Sequence, residues 1–426
     1  MTLCDVMWDA RVGQNIGLAK LSPVFFLDIN LSVYKPAWLD CHHPDHQHQL
    51  QSNSFIDIIS IILKEFQQSQ ISLPPTFIKM PATVLKQLGK NGPKIPPVGF
   101  GAMGIGIDCY GATGNDEERF AVLDHAWKIG CTHWDTSDAY GDSEMLIGKW
   151  FKLHPERRAD IFLATKFGIL AEVQADGTYK GSVNSTPEYA KTACEASLKK
   201  LGVDYIDLYY AHRVDGKTPI EKTVQAMVEL KKGVNSEGKI KYFGFSEISG
   251  DSLRRACAVH HISAVQIEYS AWALETEGPV SKYLLKACRE LGVATIAYSP
   301  LGRGMLTGQY TNTAELEKTD YRNSVEQFKG DNLKKNVELL DRFKEVAANK
   351  GCSLSQLALA WLLAQGDDIF PIPGTKKTKY MDDNFGAQDV RLTPGEAGEI
   401  RKLVENLGVA GDRDVAFNQY ADTPAL

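Results

Sequence analysis

Short apolar runs rich in β-branched residues recur along most of this chain, and each is followed by a longer segment with helical periodicity. One strand and one helix together take roughly 30–40 residues, a spacing that fits βα units joined by right-handed crossovers. Strands are predicted at residues 98–101, 132–134, 161–165, 206–210, 240–245, 264–268, 293–298 and 369–372. Helices are predicted over residues 116–129, 187–201, 218–232, 279–291 and 333–350. Eight such units predict an α/β fold of the (β/α)8 TIM-barrel type, with a six-stranded doubly wound sheet as the alternative.

A β-hairpin is predicted just before the first of these strands. Residues 85–88 and 94–98 flank a turn at residues 89–93 that contains glycine and proline. Short strands separated by such a turn are typical of a hairpin. We expect this N-terminal hairpin to plug the bottom of the barrel.

The first 79 residues differ from the rest of the chain. They carry few charges, show no sustained periodicity and end near a Pro-Pro pair. We therefore expect residues 1–79 to be a poorly structured N-terminal extension and residues 80–426 to be the barrel domain, which should fold by itself from Met80. Four histidines in the extension could share a metal ion or belong to a polar linker, and we favour the linker: His42, His43, His46 and His48.

Composition excludes several classes of protein. The net charge of −6 argues against nucleic-acid binding, which requires a basic surface. No apolar run reaches the roughly 18 residues that a membrane span needs, and the N-terminus lacks the pattern of a secretory signal. The eight cysteines are scattered without a C-x-x-C pair, which favours reduced thiols and a cytoplasmic location.

Residues Gly99 to Gly104 match the pattern G-x-G-x-x-G after a predicted strand, as in dinucleotide-binding Rossmann folds. That motif requires a helix to begin at its third glycine, so that the helix N-terminus meets the pyrophosphate. Here the next helix is predicted to begin only near Asp116. A Rossmann dehydrogenase therefore remains as a weaker alternative.

Ionisable side chains lie where consecutive predicted strands end. Asp135 and Tyr140 follow the second strand, Lys166 the third and His212 the fourth. In a βα barrel the strand ends meet at one face, which is where chemistry occurs in this fold. These four residues, called the tetrad below, are therefore candidate active-site residues.

Several motifs together resemble the aldo-keto reductase family, over about residues 80–426. They are Gly99-Phe100-Gly101, Asp135-Thr136-Ser137-Asp138-Ala139-Tyr140-Gly141, Thr165-Lys166, Asp207-Leu208-Tyr209-Tyr210-Ala211-His212, Tyr298-Ser299-Pro300-Leu301-Gly302 and Ile372-Pro373-Gly374-Thr375. The closest resemblance is to the branch that holds microbial and plant reductases and pyridoxal-type reductases. The resemblance implies an NADPH-dependent oxidoreductase that reduces a small aldehyde or ketone, with the tetrad as its catalytic group.

The tetrad has the chemistry that this reaction requires. A hydride that reaches a carbonyl carbon leaves an alkoxide, and the Tyr140 phenol could protonate it. A lysine ammonium about 4 Å away would lower the pKa of that phenol by roughly three units, towards the working pH. Asp135 would hold Lys166, and His212 would orient the carbonyl by hydrogen bonding.

The same resemblance implies a set of cofactor residues. Ser246 and Gln266 match positions that hold the nicotinamide amide, and Tyr298 matches the aromatic residue that stacks on the nicotinamide. The pyrophosphate segment is matched by Ser299, Pro300 and Leu301. The adenosine-phosphate end is matched by Gly374, Lys376, Tyr380, Asp383 and Asn384.

The chain departs from the family pattern at two of these places. Glu247 stands where many relatives have asparagine, and Tyr380 where many have arginine. The charge for a 2′-phosphate would then come from Lys376, Lys377 or Lys379. A regulatory barrel of the potassium-channel β-subunit type is a second alternative, but those relatives carry asparagine at the position of His212.

Overall fold

The structure is a computed structural model that describes residues 84–173, 179–232, 238–312, 316–413 and 419–426. The extension over residues 1–79, its boundary at Met80 and its histidine cluster lie outside the described residues. All the residues assigned above to the tetrad and to the cofactor lie within them. No helix in the described ranges is both long and apolar enough to cross a bilayer.

Eight parallel strands form one sheet, in which they follow one another in chain order. Their bounds are Phe100–Gly101 (β3), His133–Asp135 (β4), Phe162–Phe167 (β5), Ile206–Ala211 (β8), Ile240–Ser246 (β9), Ala264–Glu268 (β10), Ala294–Tyr298 (β11) and Ile369–Pro371 (β12). The first and last strands also meet: the Gly99 and Gly101 N–H groups donate to the carbonyls of Pro371 and Pro373, at 2.9 and 3.2 Å. The sheet is therefore closed, as the predicted (β/α)8 barrel requires.

Helices follow the strands around the outside of this barrel. They are Asp116–Lys128 (α1), Ser143–Leu153 (α2), Pro187–Leu201 (α3), Ile220–Lys232 (α4), Gly250–Val259 (α5), Leu284–Leu291 (α6), Gly330–Lys350 (α7), Leu354–Ala364 (α8), Thr378–Phe385 (α9) and Pro394–Leu407 (α10). Local sequence sets several ends. Asn115 and Glu118 form a capping box at the start of α1, and Gly202 ends α3 with a φ of 62°.

The predicted hairpin is present, as Lys86–Gln87 (β1) paired with Lys94–Ile95 (β2). Its buried side chains Leu88 and Ile95 pack among residues of the barrel interior such as Leu208, Ile296 and Phe370. The Lys90 N–H donates to the Gly292 carbonyl at 2.7 Å, just before β11 begins. The hairpin therefore covers the N-terminal end of the barrel, as expected.

Some elements differ from the prediction. Between β5 and α3 lies a second hairpin that the sequence did not predict, Ile169–Val173 (β6) with Tyr179–Val183 (β7). The predicted helix over residues 279–291 begins only at Leu284, because residues 278–283 make a 3-10 turn and two left-handed residues first. Residues Gly99 to Gly104 close the barrel through Gly101 instead of starting a nucleotide-binding helix, so the Rossmann alternative is wrong.

Candidate active site

The tetrad lies at the C-terminal end of the barrel, on two strands and on the segments that follow two strands. Asp135 is the last residue of β4 and Lys166 the next-to-last residue of β5, and both face inward, whereas the outward Trp134 packs on Trp150 of α2 with 4.9 Å between ring centroids. His212 follows β8, and its backbone N–H donates to the Phe167 carbonyl at 2.7 Å. Tyr140 comes from the turn between β4 and α2.

Lys166 joins the members of the tetrad. Its side chain is fully buried, and its ammonium donates to the Asp135 carboxylate and to the Thr136 carbonyl, the latter at 2.8 Å. The same nitrogen lies 3.4 Å from the Tyr140 hydroxyl. The His212 ring stands edge-on to the Tyr140 ring, with 5.6 Å between centroids. The fold thus brings the four residues into one cluster.

Burial decides the protonation of Tyr140 in this cluster. Desolvation raises its pKa above the ordinary value, and the nearby Lys166 only partly offsets this, since the Asp135 carboxylate acts against the lysine. The predicted lowering of the pKa is therefore wrong in direction. A phenol with a raised pKa is fully protonated at neutral pH and remains a proton donor.

His212 is neutral for related reasons. Burial, the Lys166 ammonium and the Arg213 guanidinium all lower its pKa well below the ordinary value. Its Nδ1 lies 3.1 Å from the Ser137 hydroxyl. A neutral imidazole held at Nδ1 leaves Nε2 as the ring atom available to a substrate.

The residues assigned to the nicotinamide end lie on the three strands after β8. Ser246 pairs in register with Gln266, and Glu268 pairs with Tyr298. The Gln266 amide donates to Asp135 at 2.8 Å, which ties these residues to the tetrad. Ser246 accepts a bond from Arg213 at 3.2 Å.

Two acidic and two basic side chains form a buried network beside Tyr298. Arg413 donates to Glu247, and to Glu268 at 2.7 Å, and Arg303 donates to Glu268 at 2.6 and 3.2 Å. Burial raises the pKa of Glu268, but the two guanidiniums outweigh it and hold that pKa below the ordinary value. The Tyr298 hydroxyl donates to Glu247 at 2.8 Å and accepts from Arg413 at 3.0 Å.

From the sequence, Glu247 stands out as unusual, but its partner Arg413 does not. Arg413 lies 166 residues further along the chain, and no local pattern connects the two residues. Glu247 also adopts a left-handed backbone with a φ of 56°.

The residues assigned to the pyrophosphate follow β11. Ser299 has a φ of 47°, and Pro300 and Leu301 lead into a 3-10 turn over Gly302–Thr307.

The residues assigned to the adenosine-phosphate end are engaged within the protein. Gly374 pairs with Gly101 where the barrel closes. The Lys376 ammonium donates to the carbonyls of Tyr110, Gly111 and Ala112 at 2.8–2.9 Å, and so holds the loop after β3.

The other three residues of this group lie on α9. The Tyr380 hydroxyl donates to Gln309 at 3.4 Å, Asp383 accepts from Ser353 at 2.8 Å, and Asn384 is buried. Asp383 therefore supports the start of α8, because Ser353 caps that helix.

Known proteins share sequence with most of this chain. The sequence model described as Aldo/keto reductase family matches residues 97–405. The chain belongs to the aldo/keto reductase family. It is 47% identical over 337 residues to aldo-keto reductase str7 of Strobilurus tenacellus, covering 78% of this chain and 96% of that protein. It is 45% identical, with the same coverage, to aldo-keto reductase yakc [NADP(+)] of Schizosaccharomyces pombe.

Solved structures give the same fold. A thermostable aldo-keto reductase crystallised with the inhibitor epalrestat matches 75% of this chain and all of its own, with a TM-score of 0.59 and 28% identity. The glycerol dehydrogenase of Gluconobacter oxydans matches 79% of this chain and 99% of its own, with a TM-score of 0.67 and 24% identity. The predicted family and TIM-barrel fold are thereby confirmed.

Proposed function

We propose that this chain reduces a small aldehyde or ketone to an alcohol with NADPH. The observation that carries the proposal is the position of Lys166, whose buried ammonium contacts both the Asp135 carboxylate and the Tyr140 hydroxyl. A cation held in this way can stabilise negative charge that develops on Tyr140 as the phenol gives up its proton.

The residues present fit a nicotinamide cofactor. Gln266 bonds to Asp135, so the strand positions proposed for the nicotinamide adjoin the proton donor. The aromatic ring of Tyr298 is fixed through its hydroxyl by Glu247 and Arg413. When bound, NADPH would supply the hydride, and the name of the fission-yeast relative includes NADP(+).

The protein's own residues would then have distinct roles. Tyr140 would donate a proton to the carbonyl oxygen, and Lys166 would stabilise the phenolate that remains. Asp135 would keep Lys166 charged and in place. His212 would hold the carbonyl oxygen through Nε2.

Replacement of the proton donor tests the proposal. Tyr140→Phe keeps the ring and removes the hydroxyl, so kcat for aldehyde reduction should fall by about 100-fold or more. NADPH affinity should change little. The measurement is NADPH oxidation over a panel of aldehydes and ketones, with fluorescence titration of the cofactor.

Tyr205→Phe is a matched control, because Tyr205 lies just before β8 begins, at the opposite end of the barrel. It should keep wild-type kcat. A Tyr140→Phe enzyme that reduces aldehydes at the wild-type rate would refute the assigned donor. A wild-type chain that oxidises NADPH with none of the carbonyls would refute the function.

A further inference from the structure

Ser137, which lies between Asp135 and Tyr140 in sequence, contacts three polar groups at once. The Ala139 N–H donates to its hydroxyl oxygen at 3.2 Å. That oxygen also lies 3.2 Å from Asp138 Oδ1 and 3.1 Å from His212 Nδ1. Ser137 therefore connects a carboxyl group to the histidine of the tetrad.

The bonding capacity of a hydroxyl relates the proton on Asp138 Oδ1 to the proton on His212. A serine hydroxyl has one proton to donate and two lone pairs to accept with, and Ala139 occupies one lone pair. If Asp138 is ionised, Ser137 donates to it and must accept from His212, so Nδ1 carries the histidine proton. If Asp138 is protonated at Oδ1, the oxygen that contacts Ser137, it donates to Ser137, which then donates to a bare Nδ1.

These arrangements leave different atoms of His212 for the substrate. Because His212 is neutral, it has one N–H only. With the Asp138 proton on Oδ1, Nε2 carries the proton of His212 and can donate to a carbonyl oxygen. With Asp138 ionised, Nε2 is an acceptor and cannot polarise a carbonyl.

We propose that Ser137 and Asp138 are positioning residues that set the tautomer of His212, and that protonation of Asp138 puts His212 in the form that assists carbonyl reduction. The assignment of His212 to the carbonyl rests on the proposed function. The change takes up one proton, which resides on Asp138, and His212 remains neutral in both states.

The surroundings of Asp138 allow this change near neutral pH. Burial and the Glu144 carboxylate raise the pKa of Asp138 to about 7, while the Ser137 hydroxyl, Lys200 and the Ala139 N–H act in the opposite direction. Lys200 lies 3.3 Å from Glu144, and the Thr165 hydroxyl donates to Glu144 at 2.7 Å.

The neutral phenols of Tyr189 and Tyr209 lie near the same carboxyl group. Arg213 and Lys166 are the charges that face His212. Below about pH 7 Asp138 is therefore mostly protonated, and the tautomer that donates from Nε2 should dominate. Above that pH it should be lost.

Nitrogen NMR of the full chain tests the tautomer directly and needs no substrate. With 15N-labelled histidine, the ring shifts of His212, assigned by their loss in His212→Gln, should exchange between the two tautomers around pH 7. Asp138→Asn cannot ionise, so one tautomer should persist from pH 5.5 to 8.5. Ser137→Ala should also abolish the change, whereas Ser137→Thr, which keeps the hydroxyl, should retain it.

Kinetics give the second readout. Wild-type kcat/KM for reduction should fall about tenfold per pH unit above the transition, as for loss of one required proton. This fall in kcat/KM at high pH should be absent in Asp138→Asn and in Ser137→Ala, and present in Ser137→Thr. Asp142→Asn is the matched control, since Asp142 bonds to Arg119 instead, and its kcat/KM should fall with pH as in the wild type.

A tautomer change that persists in Ser137→Ala would overturn the proposal. So would a tautomer of wild-type His212 that stays constant across this pH range. Failure of carbonyl reduction with a normal NMR titration would instead refute the proposed function and leave the link between Asp138 and His212 intact.

Discussion

Replacement of Arg413 by methionine should destabilise the barrel strongly, because this side chain neutralises a carboxylate with no access to water. Arg413 is 7% exposed and Glu247 is 0% exposed. In Arg413→Met, Glu268 keeps its two bonds to Arg303. Glu247 is left with two neutral donors, the Tyr298 hydroxyl and, at 3.3 Å, the Glu268 N–H.

The size of the loss follows from the charge that Glu247 keeps without a cation beside it. Leaving a buried charge unpaired costs about 3–5 kcal/mol. The free energy of unfolding should therefore fall by about 3–5 kcal/mol at pH 7.

Urea unfolding followed by tryptophan fluorescence at pH 7 measures this loss. Arg401→Met is the matched control, because Arg401 also pairs with a glutamate, Glu277, but at 27% and 29% exposure. It should cost about 1 kcal/mol or less. Adding Glu247→Gln to Arg413→Met should restore much of the lost stability, because no charge is then left unpaired. Equal losses for the two arginine variants would refute the reasoning.

Three further predictions concern the tetrad, the cofactor end and the hairpin. Lys166→Met should raise the pKa of Tyr140 further and move the alkaline limb of alcohol oxidation to higher pH, with a lower maximum; an unchanged pH–rate profile would contradict the role of Lys166. Lys376→Ala should weaken NADPH more than NADH in fluorescence titrations, because only NADPH has a 2′-phosphate; equal losses would mean that the released loop at residues 110–112 is responsible. Leu88→Ala should lower the free energy of unfolding by about 2–5 kcal/mol in urea without changing kcat, and a loss below about 1 kcal/mol would show that the hairpin is not a packed plug.

The sequence determined the elements whose signals are local. Strands such as β4, β5 and β8, which alternate with helices along the chain, predicted a barrel. The site residues at strand ends, such as Asp135, Lys166 and His212, followed from that prediction. The C-terminal ends of the strands of a βα barrel meet at one face, so the residues at these ends can be named from the sequence alone. The family resemblance then added roles for these residues.

Only the tertiary structure decided the properties that depend on burial and on distant partners. Arg413 meets Glu247 because the C-terminal segment returns to the strand ends, and a contact across 166 residues has no local signal. The pKa of Tyr140 is raised, although Lys166 is as near as expected, because desolvation outweighs the cation. The link from Asp138 through Ser137 to His212 likewise exists only once β4 and β8 are brought to the same face of the barrel. Desolvation and polar contacts depend on everything that surrounds a group, and the fold alone brings those surroundings together.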